Sequence, residues 1–502
     1  MYFTLPDTVA LRSWQRVPHA YYIKNHPYAL PLSEREFAIM RQCDGEHDIA
    51  FDETVAALAM RRLIVVCQKG DRPSEWSRYR HYDNRYFPKM NLMITGKCNY
   101  NCLHCFNAAD NAPIMTEWAF DDLCDLFDQA RDAGVYAFTV TGGEPMVHKR
   151  FMDILREIHR RGMFVEELNT NGFFLTQEIL DQMKEIGCDP LMKISFDGLG
   201  HHDWLRNRPG AERITLDAMR LCIQNGFRVK AQTQVHRKNV ASMLPTAKLL
   251  CDMGVSEMRI IRTTEVPRWT ANAGDACLQI QEYYETMLGF ARAYIKSGMA
   301  MDIDVWQMLR LYPRSRSFII VPVTCAEGEY RPTIPGCKGN RGMIAVTSSG
   351  DVAPCLQLSG VLLEHGIHLG NLHQSRLKDL ITAGPYMDAV CATVGDVREK
   401  TQKCAACKWF EYCTGGCRAM GMMYSGARED FFGEDITKCA FFENGWYEKT
   451  AAALSGWNNK SRIGTEASDR NKTGKAFACI TDLYNPNTSK PIDRMGISCY
   501  HA

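Results

Sequence analysis

Met90-Asn91-Leu92-Met93-Ile94-Thr95 runs through Gly96-Lys97 into Cys98-Asn99-Tyr100-Asn101-Cys102-Leu103-His104-Cys105. A short β-prone run ends, and three cysteines follow at once. The pattern of strand, turn and helix then repeats. Strands are expected at Met90–Thr95, Ala137–Thr141, Phe164–Asn169, Leu191–Phe196, Val229–Val235 and Met258–Ile261. Helical periodicity fills 117–133, 151–161, 178–186, 212–225 and 243–253, with a further helix over 281–296. Gly134, Gly162, Gly187, Gly226 and Gly254 each stand just past a helix, where a left-handed turn closes it. Six such units imply an α/β fold: a parallel sheet with crossover helices, either open or curled into a partial (β/α)6 TIM-like barrel, the form expected here. Sites in such folds gather at the C-terminal ends of the strands, where the three cysteines fall.

The flanks differ from this core, which is taken as 86–297. Residues 1–85 read as a small winged-helix-like module. Tyr21–Ile23 and Tyr28–Leu30 suit a hairpin around Asn25-His26-Pro27. Ser33 and Glu36 form a capping box for a helix ended by Gly45; a second helix spans 53–62, and β-branched residues follow at 64–66. Residues 298–335 read as a mixed connector. Residues 336–449 form a cysteine-rich C-terminal domain, the kind held together by metal. Residues 456–502, rich in Asn, Ser, Lys and Gly, read mainly as a tail, which is set from 450.

The chain has 502 residues and a net charge of +1, so nothing electrostatic points to nucleic acid. The first twenty residues lack a basic start followed by an apolar run, and no apolar stretch approaches membrane-spanning length. The expected compartment is the cytoplasm, with no membrane partner. In that reducing setting, 21 cysteines suggest metal binding or catalysis rather than disulfides. Cys43, Cys67, Cys124, Cys188, Cys222, Cys251 and Cys277 stand singly and read as small core residues.

Three thiolates at the spacing of Cys98, Cys102 and Cys105 suit one cuboidal iron–sulfur cluster, each on a different iron. The fourth iron is then open to the amino and carboxylate groups of a bound cofactor. A zinc site with His104 as fourth ligand is the weaker alternative. This segment resembles the radical S-adenosylmethionine superfamily, whose signature is CxxxCxxC after the first barrel strand. Gly142-Gly143-Glu144-Pro145 resembles the family's GGEP motif, which implies contact with the methionine amino group. Asn169-Thr170-Asn171-Gly172 ends the third strand. Ile194-Ser195-Phe196-Asp197-Gly198 is similar to the segment that contacts ribose and methionine. His202-Asp203 and Arg206 resemble the HDxxR stretch that follows it. The resemblance implies a cofactor site of Gly142, Gly143, Glu144, Asn169, Ser195, Asp197 and Arg206. It implies a catalytic [4Fe–4S] cluster, S-adenosylmethionine, and an electron from a flavodoxin- or ferredoxin-type reductant. The cleaved cofactor would give a 5′-deoxyadenosyl radical that removes a hydrogen atom.

Cys337, then Gly350 and Cys355, then Cys404, Cys407, Cys413, Cys417 and Cys439 match the seven-cysteine pattern of the SPASM domain. That resemblance implies two auxiliary [4Fe–4S] clusters. Cys404, Cys407, Cys413 and Cys439 would hold the distal one, and Cys337, Cys355 and Cys417 the proximal one. A four-thiolate zinc site at Cys404, Cys407, Cys413 and Cys417 is the alternative. For the fourth proximal ligand, Cys325 leads, twelve positions before Cys337. Cys391, Cys479, Cys499 and an open iron are its rivals.

Members with this domain commonly modify peptides, so the expected partner is a precursor peptide or protein, crosslinked through a thioether or carbon–carbon bond. The N-terminal module resembles the element that captures leader peptides by adding a strand to a sheet edge. The opposing reading is a packing domain that covers the barrel. Anaerobic sulfatase maturases share both cysteine motifs but use an Asp after the Cys of the GxxxxC element. Leu356 stands there and cannot accept a proton, which ranks side-chain oxidation second. An iron–sulfur electron carrier or redox sensor is the alternative of another class. The catalytic base is not identified by the sequence.

Overall fold

The computed structural model describes residues 1–109, 112–263, 265–337, 342–424 and 431–461. Its centre is the expected run of parallel strands: Lys89–Thr95, Ala137–Gly142, Phe164–Thr170, Leu191–Ser195, Val229–Val235 and Glu257–Arg262. Each pairs in parallel with the next. Alternate residues such as Met90, Leu92, Phe138, Val140, Met192, Ile194, Met258 and Ile260 are fully buried in one apolar core. Helices Phe120–Asp132, Phe151–Arg160, Gln177–Ile186, Ala211–Gln224 and Met243–Met253 carry the crossovers. Lumen-facing positions are polar, with Lys193 paired to Glu167 and Lys89 to Glu166.

The sheet is wider than expected. Twelve strands join it, eight of them in one parallel run. At one edge, Met343–Val346 from the cysteine-rich region pairs with the first barrel strand. At the other, Asp302–Val305 pairs with the sixth, followed by the antiparallel strands Leu309–Tyr312 and Ser317–Ile320. Three short strands of the span read as a connector therefore belong to the sheet. Each is only four residues long, so its alternation is too brief to register in the sequence.

The N-terminal module has a four-stranded sheet in which Val9–Trp14 lies between Ala20–Ile23 and Arg80–Tyr82, with Leu30–Pro31 at the outer edge. Its helices Glu34–Gln42 and Glu53–Met60 begin at Ser33, through the expected capping box, and at Asp52. An aromatic cluster of Trp14, Tyr22, Tyr82 and Tyr86 seats the module on Tyr136, Ala137 and Phe164. Those residues open the second and third barrel strands, so the module sits at the end opposite the cysteine loop.

The cysteine-rich region is built from short helices, among them Leu356–Glu364, Arg418–Tyr424 and Ile436–Glu443. The start of the expected tail is ordered: Trp446–Ala453 is helical, and Asn458–Asn459 pairs with Ser317–Phe318. The rest of the tail, with Cys479 and Cys499, lies outside the described residues.

Candidate active site

The first strand ends at Thr95, and the loop from Gly96 carries the three cysteines across the barrel mouth. Cys98 and Cys105 pack around buried Cys102 and Tyr100. Burial pushes the Cys98 thiol up to about 12, and nearby Cys102, Glu144 and Cys105 add to the rise. Three arginines clamp the loop. Arg208 donates to the Asn99 carbonyl at 3.1 Å and stacks on Tyr100 and Phe173. Arg268 donates to the Cys102 carbonyl at 2.7 Å. Arg206 places Nη1 3.9 Å from Cys102 Sγ.

Gly142 and Gly143 follow the second strand. A Cβ on Gly143 would fall on the carbonyl oxygens of Lys97 and Gly96, and one on Gly142 on that of Thr95. Only glycine lets this turn lie against the cysteine loop. Glu144 is fully buried. It accepts from Thr170 Oγ1 at 2.9 Å and from the Asn171 amide at 2.7 Å. Burial raises its carboxyl to about 7, against those hydrogen bonds. Asn169 Oδ1 and His104 Nδ1 are buried polar atoms with no hydrogen-bond partner in the protein. Burial, then Arg206, holds the His104 ring down to about 3, so it is neutral. Ser195 closes the fourth strand beside Gln232.

Asp197 is fully buried. Its carboxylate receives Arg206 Nε at 2.6 Å, Arg206 Nη2 at 3.1 Å and the Gln234 amide at 3.0 Å. Burial opposes its charge, yet Arg206, with His202 and His104, holds its pKa well below the usual carboxylate range. Asp197 thus positions Arg206. Asn171, Arg208 and Arg268 were not singled out as site residues in the sequence. Asn171 lies within the Asn169–Gly172 stretch, its Nδ2 2.8 Å from Asn99 Oδ1. Arg208 follows the HDxxR stretch by two positions, whereas Arg268 carries no signal, since its loop reaches the cysteines only through the fold.

The C-terminal cysteines fall into two groups. Burial raises the Cys355 and Cys417 thiols, and Cys337 adds to each. Cys404, Cys407, Cys413 and Cys439 line a separate pocket with Trp409 and Lys438. The alternative set of Cys404, Cys407, Cys413 and Cys417 is therefore split. Asp435 ties the groups together: it caps the helix that carries Cys439 and accepts the Cys417 amide at 2.8 Å. Cys325 is buried in an apolar cluster with Ile334, Val394 and Phe410, a cluster that Cys404 and Cys407 also join. Cys391 receives Arg85 Nη1 at 2.9 Å.

Among the described residues, no three Cys, His, Asp or Glu side chains converge on the geometry of a single ion. Four zinc-bound thiolates would crowd within about 4 Å of one another, whereas a cuboidal cluster holds each sulfur on its own corner. Three thiols at one mouth, a buried carboxylate, unpartnered polar atoms and a glycine clearance fit an iron–sulfur cluster with an aminoacyl cofactor.

Residues 92–250 match the radical SAM superfamily, and residues 337–408 match SPASM, an iron–sulfur cluster-binding domain. The chain is an enzyme that carries a radical SAM domain and a SPASM domain; the first implies a [4Fe–4S] cluster and S-adenosylmethionine, and the second implies auxiliary iron–sulfur clusters. It is similar to an AdoMet-dependent heme synthase of Methanosarcina barkeri, 24% identical over 66% of this chain and 91% of that one. It is also similar to a PqqA peptide cyclase of Granulibacter bethesdensis, 22% identical over 68% of this chain and 85% of that one. Among solved structures, Streptococcus suis SuiB bound to the precursor peptide SuiA shares the fold. That likeness has a TM-score of 0.61 at 13% identity, over 87% of this chain and 99% of that one. No described helix is long and apolar enough to cross a membrane.

Proposed function

We propose that this enzyme modifies a peptide or protein, abstracting a hydrogen atom and closing a thioether or carbon–carbon crosslink. One observation carries the reading. A cleft of about 800 Å³ opens between Glu265, Pro267 and Thr270 at the sixth barrel strand and Glu364, His365 and Tyr424. Glu364 ends the helix that starts after Cys355, and Tyr424 ends the one that starts after Cys417. One wall of that cleft is the helix Pro267–Asn272, whose Arg268 donates to the Cys102 carbonyl, and the other is the far ends of the helices that follow Cys355 and Cys417.

Cys98, Cys102 and Cys105 hold the catalytic cluster in this reading; with its cofactor it supplies a 5′-deoxyadenosyl radical. Glu144 and Asn169 orient the methionine end, Ser195 the ribose side, and Arg206 the loop. Cys337, Cys355 and Cys417 hold the proximal auxiliary cluster; Cys404, Cys407, Cys413 and Cys439 hold the distal one. The electron donor is of the flavodoxin or ferredoxin type, and the compartment is the cytoplasm. The names of PqqA peptide cyclase and of SuiB with its precursor peptide support a peptide substrate. A second reading, action on an iron porphyrin, is favoured by the likeness to heme synthases.

The test offers reconstituted, reduced enzyme either a precursor peptide encoded beside its gene or an iron porphyrin. Peptide-dependent 5′-deoxyadenosine with a product two hydrogens lighter is the expected result. Turnover of the porphyrin alone would overturn it.

A further inference from the structure

Arg206 and Asp197 form a buried ion pair whose free end faces a cluster ligand. Asp197 is fully buried and Arg206 is 8% exposed. Asp197 takes Nε and Nη2 of the guanidinium, at 2.6 and 3.1 Å. This fixes the third nitrogen, Nη1, 3.9 Å from Cys102 Sγ. The pair is rigid at both ends. The Asp197 carboxylate also accepts the Gln234 amide at 3.0 Å, and its own backbone amide donates to His202 Nδ1 at 3.1 Å. Arg206 closes the helix His202–Arg206, and Asn207 turns the chain left-handed immediately after it.

We infer that Arg206, oriented by Asp197, sets the reduction potential of the catalytic cluster, beyond any contact it makes with S-adenosylmethionine. The inference rests on the assignment of that cluster to Cys98, Cys102 and Cys105. Reduction by one electron, from a flavodoxin- or ferredoxin-type donor, adds one negative charge to the cluster and its thiolates. A guanidinium beside one thiolate stabilises the reduced form more than the oxidised form, and burial strengthens the effect. Asp197 partly offsets it. Because Asp197 occupies the two nitrogens that usually form a carboxylate fork, the charge is aimed at sulfur before any cofactor binds. Arg206 is therefore a positioning and tuning residue.

The test is an anaerobic redox titration followed by electron paramagnetic resonance, without S-adenosylmethionine, on full-length reconstituted protein. The catalytic signal is the one missing from the Cys98→Ala, Cys102→Ala, Cys105→Ala triple variant; if none is missing, the cluster assignment fails, and with it this inference. Arg206→Gln is expected to make reduction at least tenfold less favourable, a shift of ~59 mV to lower potential for one electron. Asp197→Asn, which removes the countercharge, is expected to shift the potential the other way. Opposite shifts are not produced by a merely structural role. Should Arg206→Gln load no catalytic cluster, Asp197→Asn decides alone. An unchanged potential in either loaded variant, with an effect only after S-adenosylmethionine is added, would overturn the inference.

Discussion

At the residue scale, Glu144 sits in an environment at odds with its chemistry. A carboxyl with no exposure is surrounded by donors, yet burial wins and its pKa rises to about 7. The unfolded value is near 4.3, so between the two the folded state binds more protons. Stability contributed by this group is full below the unfolded value and is lost as pH rises to about 7, by up to ~4 kcal/mol. In cofactor-free protein, the difference in melting temperature between Glu144→Gln and wild type should therefore grow in favour of the variant from pH 5 to pH 8. A difference flat across that range would show that the carboxyl is ionised throughout. Cys325 makes a second case. It is buried, and as the proposed fourth proximal ligand its replacement, Cys325→Ala, should lower the iron content and change the proximal Mössbauer signature. Unchanged iron content and an unchanged proximal signature would eliminate it as that ligand.

At the element scale, the site depends on one turn lying against one loop. The amides of Gly143 and Glu144 donate to the Thr95 and Lys97 carbonyls at 2.8 and 2.9 Å. There is no room for a side chain between them. Gly143→Ala should force the cysteine loop aside at a cost of ~2 kcal/mol or more, because the obstructing atoms are backbone. The check is iron content and melting temperature after reconstitution. Full loading with an unchanged melting temperature would mean that the loop has slack. Gly134 and Gly162 illustrate a different dependence. Each ends a helix with positive φ, as the sequence suggests. Each also seats a module aromatic: a Cβ on Gly134 would strike Trp14 and Tyr82, and one on Gly162 would strike Trp76.

At the scale of the whole molecule, the N-terminal module meets the barrel through a buried aromatic interface, with Trp76 Nε1 donating to the Gly162 carbonyl at 3.0 Å. Deleting residues 1–85 would expose that interface and confuse recognition with stability. Surface substitutions separate the two. Met60 and Val66 are 80% and 64% exposed, and strand Val65–Val66 is paired only with Phe3–Thr4 among the described residues. If this edge captures a leader, Met60→Glu with Val66→Glu should slow modification of a full-length precursor at least tenfold. Basal S-adenosylmethionine cleavage and melting temperature should hold. Equal rates on the precursor would favour the packing role.

The barrel core and the chemistry it can support are legible in the chain alone. Its alternating strands, helix-closing glycines and cysteine spacings are local patterns: apolar periodicity dictates burial, and a strand end dictates where a loop begins. That is why Cys98, Cys102 and Cys105 were legible, and why Gly142, Gly143 and Glu144 were found beside them. Only the tertiary structure decided what those patterns meet. Strands Met343–Val346 and Asp302–Val305 extend the barrel because distant backbone groups complete its edges, which no short window records. Arg268 reaches the Cys102 carbonyl across 166 positions of chain. In each case the deciding quantity is a distance between elements remote in the chain, and burial and charge make that distance matter.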